Sequence, residues 1–329
     1  MTDGIDLWLT HCPDPATDPL FGMREAGLLD PAPDYATIAR TKAALTERTG
    51  LLGIAGIWGG RQLVFRHFLG FGTDVQRADW GQKALSVAIS EPKAGAHPKL
   101  LTTRADASGS GYRITGQKAW VSNGPSADAI IVFAITAEDQ GRKRYSAFIV
   151  PRDTPGVTIS EMPGFHALRP SKHCLLTLDS APVPATAILG EAGSAYERMA
   201  LPFRDIEDAV ATFGTLGALR HAIGLFAGAP EESATELGAI VALTAVFAAG
   251  AEAVVEALDT QRFHTGDATL VGLRVLAIDI VTRLRSLALP AATEILADLD
   301  ATLSIAAGPR LVRQAHLGQA ALRPGKHPA

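Results

Sequence analysis

The periodicity of the apolar residues changes twice along the chain, and that order restricts the folds open to it. From Leu85 to about Ile188, short β-rich runs (LSVAIS, LLTTRADA, YRITGQKAWVS, AIIVFAIT, YSAFIVP, VTISEM and CLLTLDS) are divided by turn residues. ASGSG, Ala107–Gly111, is the clearest turn between two of them. Tyr112, Ile114 and Gly116 alternate with Arg113, Thr115 and Gln117, as on a half-buried strand. Such runs predict a small barrel or sandwich. Before them, DYATIARTKAALTERT carries Tyr35, Ile38, Ala39, Ala43 and Leu45 on one broad helical face. LLGIAGIWGGRQLVFRHFLGFG, from Leu51, reads as one or two tightly packed buried helices. After Gly190, long Ala/Leu/Val runs broken at GAPEES, HTGDA and Pro290 predict a bundle of three or four antiparallel helices. The expected class is α+β: an N-terminal helical domain over 1–82, a middle β domain over 83–189 and a C-terminal helical bundle over 190–329. The tail RPGKHPA is expected to fray.

Composition excludes several roles. With 329 residues, 47% hydrophobic and 19% charged, the chain suits a globular protein with a large core. A net charge of −4 and no basic stripe offer nothing to nucleic acid. The two cysteines, Cys12 and Cys174, form neither a disulfide framework nor a metal cluster. Leu237–Ala251 is too short for a membrane span and reads as a buried helix, and MTDGIDLWLTHCPDP lacks the features of a signal peptide. The expected location is the cytoplasm.

Four stretches carry a resemblance: FGTDVQRADW (Phe71–Trp80), AISEPKAG (Ala88–Gly95), GQKAWVSNGPSAD (Gly116–Asp128) and VPATAILGEAG (Val183–Gly193). In that order and with similar spacing they resemble the G-T-x-x-Q, T-E-P-x-A-G-S-D, G-x-K-x-W-I-T-N-G and V-P-x-x-x-L-G-x-x-G patterns of acyl-CoA dehydrogenases. The similarity runs from about Leu51 to Gly217. It implies a helix–barrel–helix flavoprotein that binds FAD and an acyl-CoA-like small molecule, with no nucleic acid or membrane partner. It also implies assembly, either as a homo-oligomer (dimer or tetramer) or as a hetero-oligomer with a full-length paralogue. The residues matching the family's flavin-ring contacts are Ile89, Ser90, Trp120 and Ser122. Both family threonines are serines here, so each hydroxyl is kept. Hydroxyls at a flavin edge can follow the charge and hydrogens that the reduced ring gains. Taken singly, the Trp could be core, the serines ordinary strand-end hydroxyls, Asn123-Gly124 a turn and Glu91-Pro92 a strand exit.

The family reaction needs a carboxylate with raised pKa to take a thioester α-proton. One family location for it, near Gly-Gly-x-Gly or Glu-Gly-Thr between the last long helices, has no match. The other lies in L-D-x-E-R on the helix after L-G-x-x-G. Here that helix reads YERMALPFRDIEDAV. An ungapped match sets Arg204 at the Asp, Ile206 at the Glu and Glu207 at the Arg. Glu207 then points about 100° away from the site, and Arg204 and Glu207 read as an i,i+3 ion pair. The sequence therefore names no catalytic base. The family's R-x-x-F-G, which binds the cofactor's phosphates and adenine across a subunit interface, is also absent, and Arg220 is the nearest cation. The expected function is FAD-dependent α,β-dehydrogenation of an acyl thioester. The alternatives are a catalytically degenerate subunit of a heteromeric acyl-CoA dehydrogenase or a flavin-dependent monooxygenase of the same fold.

Overall fold

The computed structural model describes residues 2–262, 268–305 and 307–322. HTGDA, apart from Ala268, and the tail RPGKHPA lie outside them. Four helices come first: α1 (Thr2–His11), α2 (Tyr35–Thr49), α3 (Leu52–Leu63) and α4 (Asp74–Trp80). Their ends follow from local chemistry. The Asp34 carboxylate caps α2 by accepting the Thr37 N–H, and Gly50 ends it in the left-handed region at φ 68°. Thr73 and Gln76 form a capping box on α4. The Gln76 amide also donates to the carbonyls of Thr186 and Ile188, at 3.0 and 2.9 Å. The G-T-x-x-Q stretch therefore fastens the helices to the far end of the sheet.

Eight strands follow: β1 (Leu85–Ala88), β2 (Arg104–Ser108), β3 (Gly111–Ser122), β4 (Ala129–Asp139), β5 (Arg142–Pro151), β6 (Val157–Glu161), β7 (His173–Pro184) and β8 (Ile188–Leu189). They form one sheet in the order β6-β7-β3-β2-β4-β5-β8, with β1 parallel to β4. The ASGSG turn joins β2 to β3, where Ser108 pairs with Gly111. β4 is apolar at consecutive positions because both of its faces are buried. Ile130, Val132 and Ala134 enter the sheet's own core with Phe148, Val150 and Leu176. Ile131, Phe133 and Ile135 turn to the core shared with the helices.

The C-terminal part contains α5 (Leu201–Gly224), α6 (Ala234–Asp259), α7 (Ala268–Ser286), α8 (Thr293–Ser304) and α9 (Ala307–Ala321). This is more than the three or four helices expected, because α8 and α9 are divided by a break at Ile305 rather than by a strong turn sequence. Leu237–Ala251 is not a separate buried helix. It lies within α6, which is long and apolar enough by length and composition to cross a membrane, with one third of its most apolar window buried. Ile240, Phe247, Ala251 and Val254 face the core while Val241 and Val246 face outward.

α2 and α5 meet backbone to backbone. A Cβ on Gly217 would lie 2.2 Å from the Ala43 carbonyl oxygen. Gly217→Ala is expected to force these helices apart at a cost of about 1–3 kcal/mol, read as a lower urea midpoint. An unchanged midpoint would show that the crossing yields freely.

Candidate active site

Trp120 is the most unusual residue of the sheet. It sits in an irregularity of the β3–β7 ladder between Lys118 and Val121, with φ at +59°. Such a bulge re-aims a side chain, and an αL tryptophan is rare enough to mark a functional constraint. Trp120 is 43% exposed. It makes edge contacts with Phe165 and His173 at 5.3 and 6.1 Å.

The four expected flavin-ring residues converge here. β1 runs out through Ile89 and Ser90 beside β3, where the Ala119 N–H donates to the Ser90 carbonyl at 2.9 Å. The Ser122 carbonyl accepts the Ser86 hydroxyl at 2.8 Å. Ser90 is half-buried and Ser122 exposed, and among the described residues neither hydroxyl makes a side-chain hydrogen bond. The His173 Nδ1 atom is buried without a partner, and burial holds this imidazole below its usual pKa. Free hydroxyls, an open indole and an orphaned ring nitrogen within one patch suit a flat ligand with polar edges, and so fit the ring of a flavin. The opposite, phosphate end has no such provision from Arg220, which is exposed and pairs with Glu47 at 3.5 Å.

The patch rests on a buried ion pair that sequence reasoning missed. Glu91 is more than a strand exit. The fully buried Lys118 ammonium donates to Glu91 Oε1 and to the Ile89 carbonyl, both at 3.0 Å. The other donors to the carboxylate are the Thr102 and Thr103 N–H groups and the Thr102 hydroxyl. Burial opposes ionisation of Glu91, but Lys118 and these donors outweigh it and hold the carboxyl at about 2. This pair fixes the AISEPKAG loop against β3, and hence Ser90 against Trp120. The Lys spaced two residues before the Trp in G-x-K-x-W was the available signal.

One turn of helix sets where Glu207 points. Residues Tyr196–Ala200, just before α5, form a π turn in which the Leu201 N–H donates to the Tyr196 carbonyl. A π turn takes up one residue more than an α turn. Everything beyond it is displaced by one position, about 100°. Glu207 therefore takes the direction that Ile206 would have in an unbroken α-helix, and Ile206 is buried. The Met199 carbonyl inside the widened turn is met by His67 Nε2 at 2.9 Å, and His67 stacks on Phe203. His67 itself lies in a π turn, Val64–Phe68, that continues α3. The expected Arg204–Glu207 ion pair does not form. Arg204 lies 3.6 Å from Asp205 instead.

Water reaches the Glu207 side chain, yet the protein surrounds it deeply enough to perturb it strongly. Burial pushes its carboxyl up to about 7, with Asp208 adding to the rise and Lys42 and Arg310 opposing it. A carboxylate poised near neutrality is what proton abstraction from carbon requires. α3 walls both regions. A Cβ on Gly60 would lie 3.8 Å from the amide of Asn123, next to Ser122, and one on Gly59 would meet Lys42.

Comparison with known proteins bears on the middle domain and the fold. Residues 86–181 match the family described as "Acyl-CoA dehydrogenase, middle domain". The rat short/branched chain specific acyl-CoA dehydrogenase is 37% identical over 131 residues, which is 38% of this chain and 30% of the rat protein. An acyl-CoA dehydrogenase of Bacillus subtilis is 32% identical over 169 residues, 50% of this chain and 42% of that protein. The chain thus spans less than half the length of the curated relatives it matches. The fold extends further than the sequence likeness. The glutaryl-CoA dehydrogenase of Mycobacterium smegmatis in complex with FADH2 superposes with a TM-score of 0.80 at 19% identity, covering 98% of this chain and 95% of that one. Butyryl-CoA dehydrogenase from Megasphaera elsdenii gives 0.79 at 19% identity, covering 98% and 99%. Residues 86–181 thus match the acyl-CoA dehydrogenase middle domain in sequence, and the chain as a whole has the acyl-CoA dehydrogenase fold.

Proposed function

We propose that the chain is an FAD-dependent oxidoreductase that removes the α- and β-hydrogens of an acyl thioester, with Glu207 as the base. The observation that carries this reading is the patch of Trp120, Ser90 and Ser122 on paired strands; Glu207, on α5 beyond the π turn, is the carboxyl whose surroundings raise it to about 7. Trp120, Ser90 and Ser122, with the Ile89 backbone, would hold the flavin ring. Bound there, FAD would supply the hydride acceptor. The serine hydroxyls would face its polar ring edge, the indole would pack against it, and a polar edge there would offer His173 Nδ1 the partner it lacks. Glu207 takes the α-proton, and its acidity near neutrality lets it do so without a large thermodynamic penalty.

The flavin's phosphates call for a second subunit, since Arg220 is already engaged with Glu47. Val241 and Val246 on α6 and Val275 and Ile278 on α7 are all about half exposed or more, an apolar surface of the kind that an assembly covers. This supports a dimer or tetramer of the chain, or a hetero-oligomer with a full-length paralogue. The test is a visible spectrum of the purified protein with FAD. A flavin band that bleaches on addition of an acyl-CoA, without another reductant, is the expected result, in a species heavier than one chain by light scattering. A bound flavin that no acyl-CoA bleaches would remove the dehydrogenase reading.

A further inference from the structure

The C-terminal bundle holds a cavity that no residue of the Trp120 patch lines. Gly214 and Gly217 turn one side of α5 toward α3 and α2. Asp208, Ala211, Thr212 and Thr215, spaced three and four apart, form another stripe of α5. Together with residues of α6, α7, α8 and α9 that stripe walls a partly open cavity of about 60 Å³. This is room for roughly four to six water-sized groups. Part of the wall is apolar: Phe247, Leu270, Leu273, Ala277 and Leu303. The rest carries a surplus of positive charge. Arg274 of α7 and Arg310 and Arg313 of α9 line the cavity against one carboxylate, Asp208. Arg310 meets Asp208 at 2.7 Å, and Arg313 meets Asp208 and Asp205 at 3.1 and 2.9 Å. These two acids are taken by two guanidiniums, and Arg274 is left over. Among the described residues Arg274 donates only to the Leu303 carbonyl and pairs with no carboxylate. It is half-buried. Burial lowers it to about 10, with Arg310 adding to the fall and Asp208 opposing it, so it is charged at neutral pH. Glu207, which Arg310 also reaches, is raised to about 7 and supplies only part of a charge. Two guanidiniums that repel each other away from bulk water are relieved by an anion, which can accept from both. Thr302, on the same wall, has a buried hydroxyl with no partner.

We propose that this cavity is a binding site for a small free carboxylate with a short apolar body, the carboxylate held by Arg274 and Arg310 and the body lying against Phe247, Leu270 and Leu273. The charge surplus calls for an anion, the apolar wall for carbon attached to it, and the volume for a body of only a few atoms. Butyrate is the probe, titrated calorimetrically into the full chain in chloride-free buffer. Butyramide, of the same size and uncharged, and inorganic phosphate, charged and without an apolar part, are the controls. Butyrate is expected to saturate one site with a Kd of about 1 mM or below. Both controls are expected to bind at least about 10-fold more weakly. Ala211→Leu fills the cavity without touching an arginine and should abolish butyrate binding. Arg274→Met should weaken it about 10-fold or more, and Arg274→Lys should keep part of what the methionine loses, since the charge remains and the fork does not. Urea midpoints report whether each variant has folded; should one fail to fold, the other decides. No saturable binding of butyrate overturns the proposal. So does butyramide or phosphate binding as tightly as butyrate, which would make the site a simple apolar hole or a bare cluster of cations. Binding that survives Ala211→Leu or Arg274→Met places the carboxylate elsewhere and overturns it as well.

Discussion

Glu207→Gln is expected to bind FAD as the unmodified protein does and to reduce it with an acyl-CoA about 10²- to 10⁴-fold more slowly. The amide keeps the size and hydrogen-bonding reach of the side chain but cannot accept a proton. The loss should therefore fall on the reduction step rather than on cofactor content. The magnitude is that of removing a positioned general base. The pH profile gives a second readout. Burial raises the Glu207 carboxyl to about 7, and only its ionised form can act. The rate of flavin reduction should then rise with pH through about 7 and level off above it, and this step should vanish from the variant's profile. Stopped-flow absorbance of the flavin band would measure both. A variant that reduces flavin at the original rate would show that the proton goes elsewhere. Histidine 67 is a poor substitute, because its Nε2 is committed to the Met199 carbonyl and burial lowers its pKa.

Lys118→Met should be the most destabilising single change near the site. It leaves the Glu91 carboxylate buried among backbone donors with its countercharge gone, at a cost of about 3–5 kcal/mol. Urea unfolding would show this as a large drop in midpoint. The double variant Lys118→Met/Glu91→Gln should recover much of the loss, because no charge is then left without a partner. Glu91 also sets an acid limit. Its folded-state pKa of about 2 lies below the usual 4.5. The stability it contributes is therefore fully present above about pH 4.5 and is lost as pH falls toward 2. Since the pair fixes Ser90 relative to Trp120, flavin content should fall in Lys118→Met even under conditions where the protein remains folded. Wild-type stability in that variant would mean that Glu91 relaxes to solvent.

Much of the architecture is local in origin and was legible in the residues. The β runs alternate or fill both faces as their strands do. ASGSG turns where β2 meets β3, and Asp34 and Thr73 start helices for reasons of capping. The α+β class and the helix–sheet–helix order follow from such short-range patterns. The convergence of Ile89, Ser90, Trp120 and Ser122 also follows from the sequence motifs, because those motifs lie on strands that pair.

The tertiary structure decided what depends on an exact count of residues along a helix, or on contacts between distant segments. A π turn at Tyr196–Ala200 has no signature in YERMA. It leaves a carbonyl off the α ladder, and His67, far away in sequence, meets it. That one turn shifts the register of α5, so that Glu207 takes the direction Ile206 would have in an unbroken α-helix. The acidity of Glu207 depends on the segments that surround it, and the path of the Lys42 side chain on Gly59 of another helix. α6 reads in sequence as a short buried helix, but how much of it is covered is set by how many neighbours reach it, and α5 and α7 cover only one side. Periodicity and turn chemistry are properties of neighbours in the chain. Charge state, burial and the direction of a side chain after an irregular turn are properties of neighbours in space.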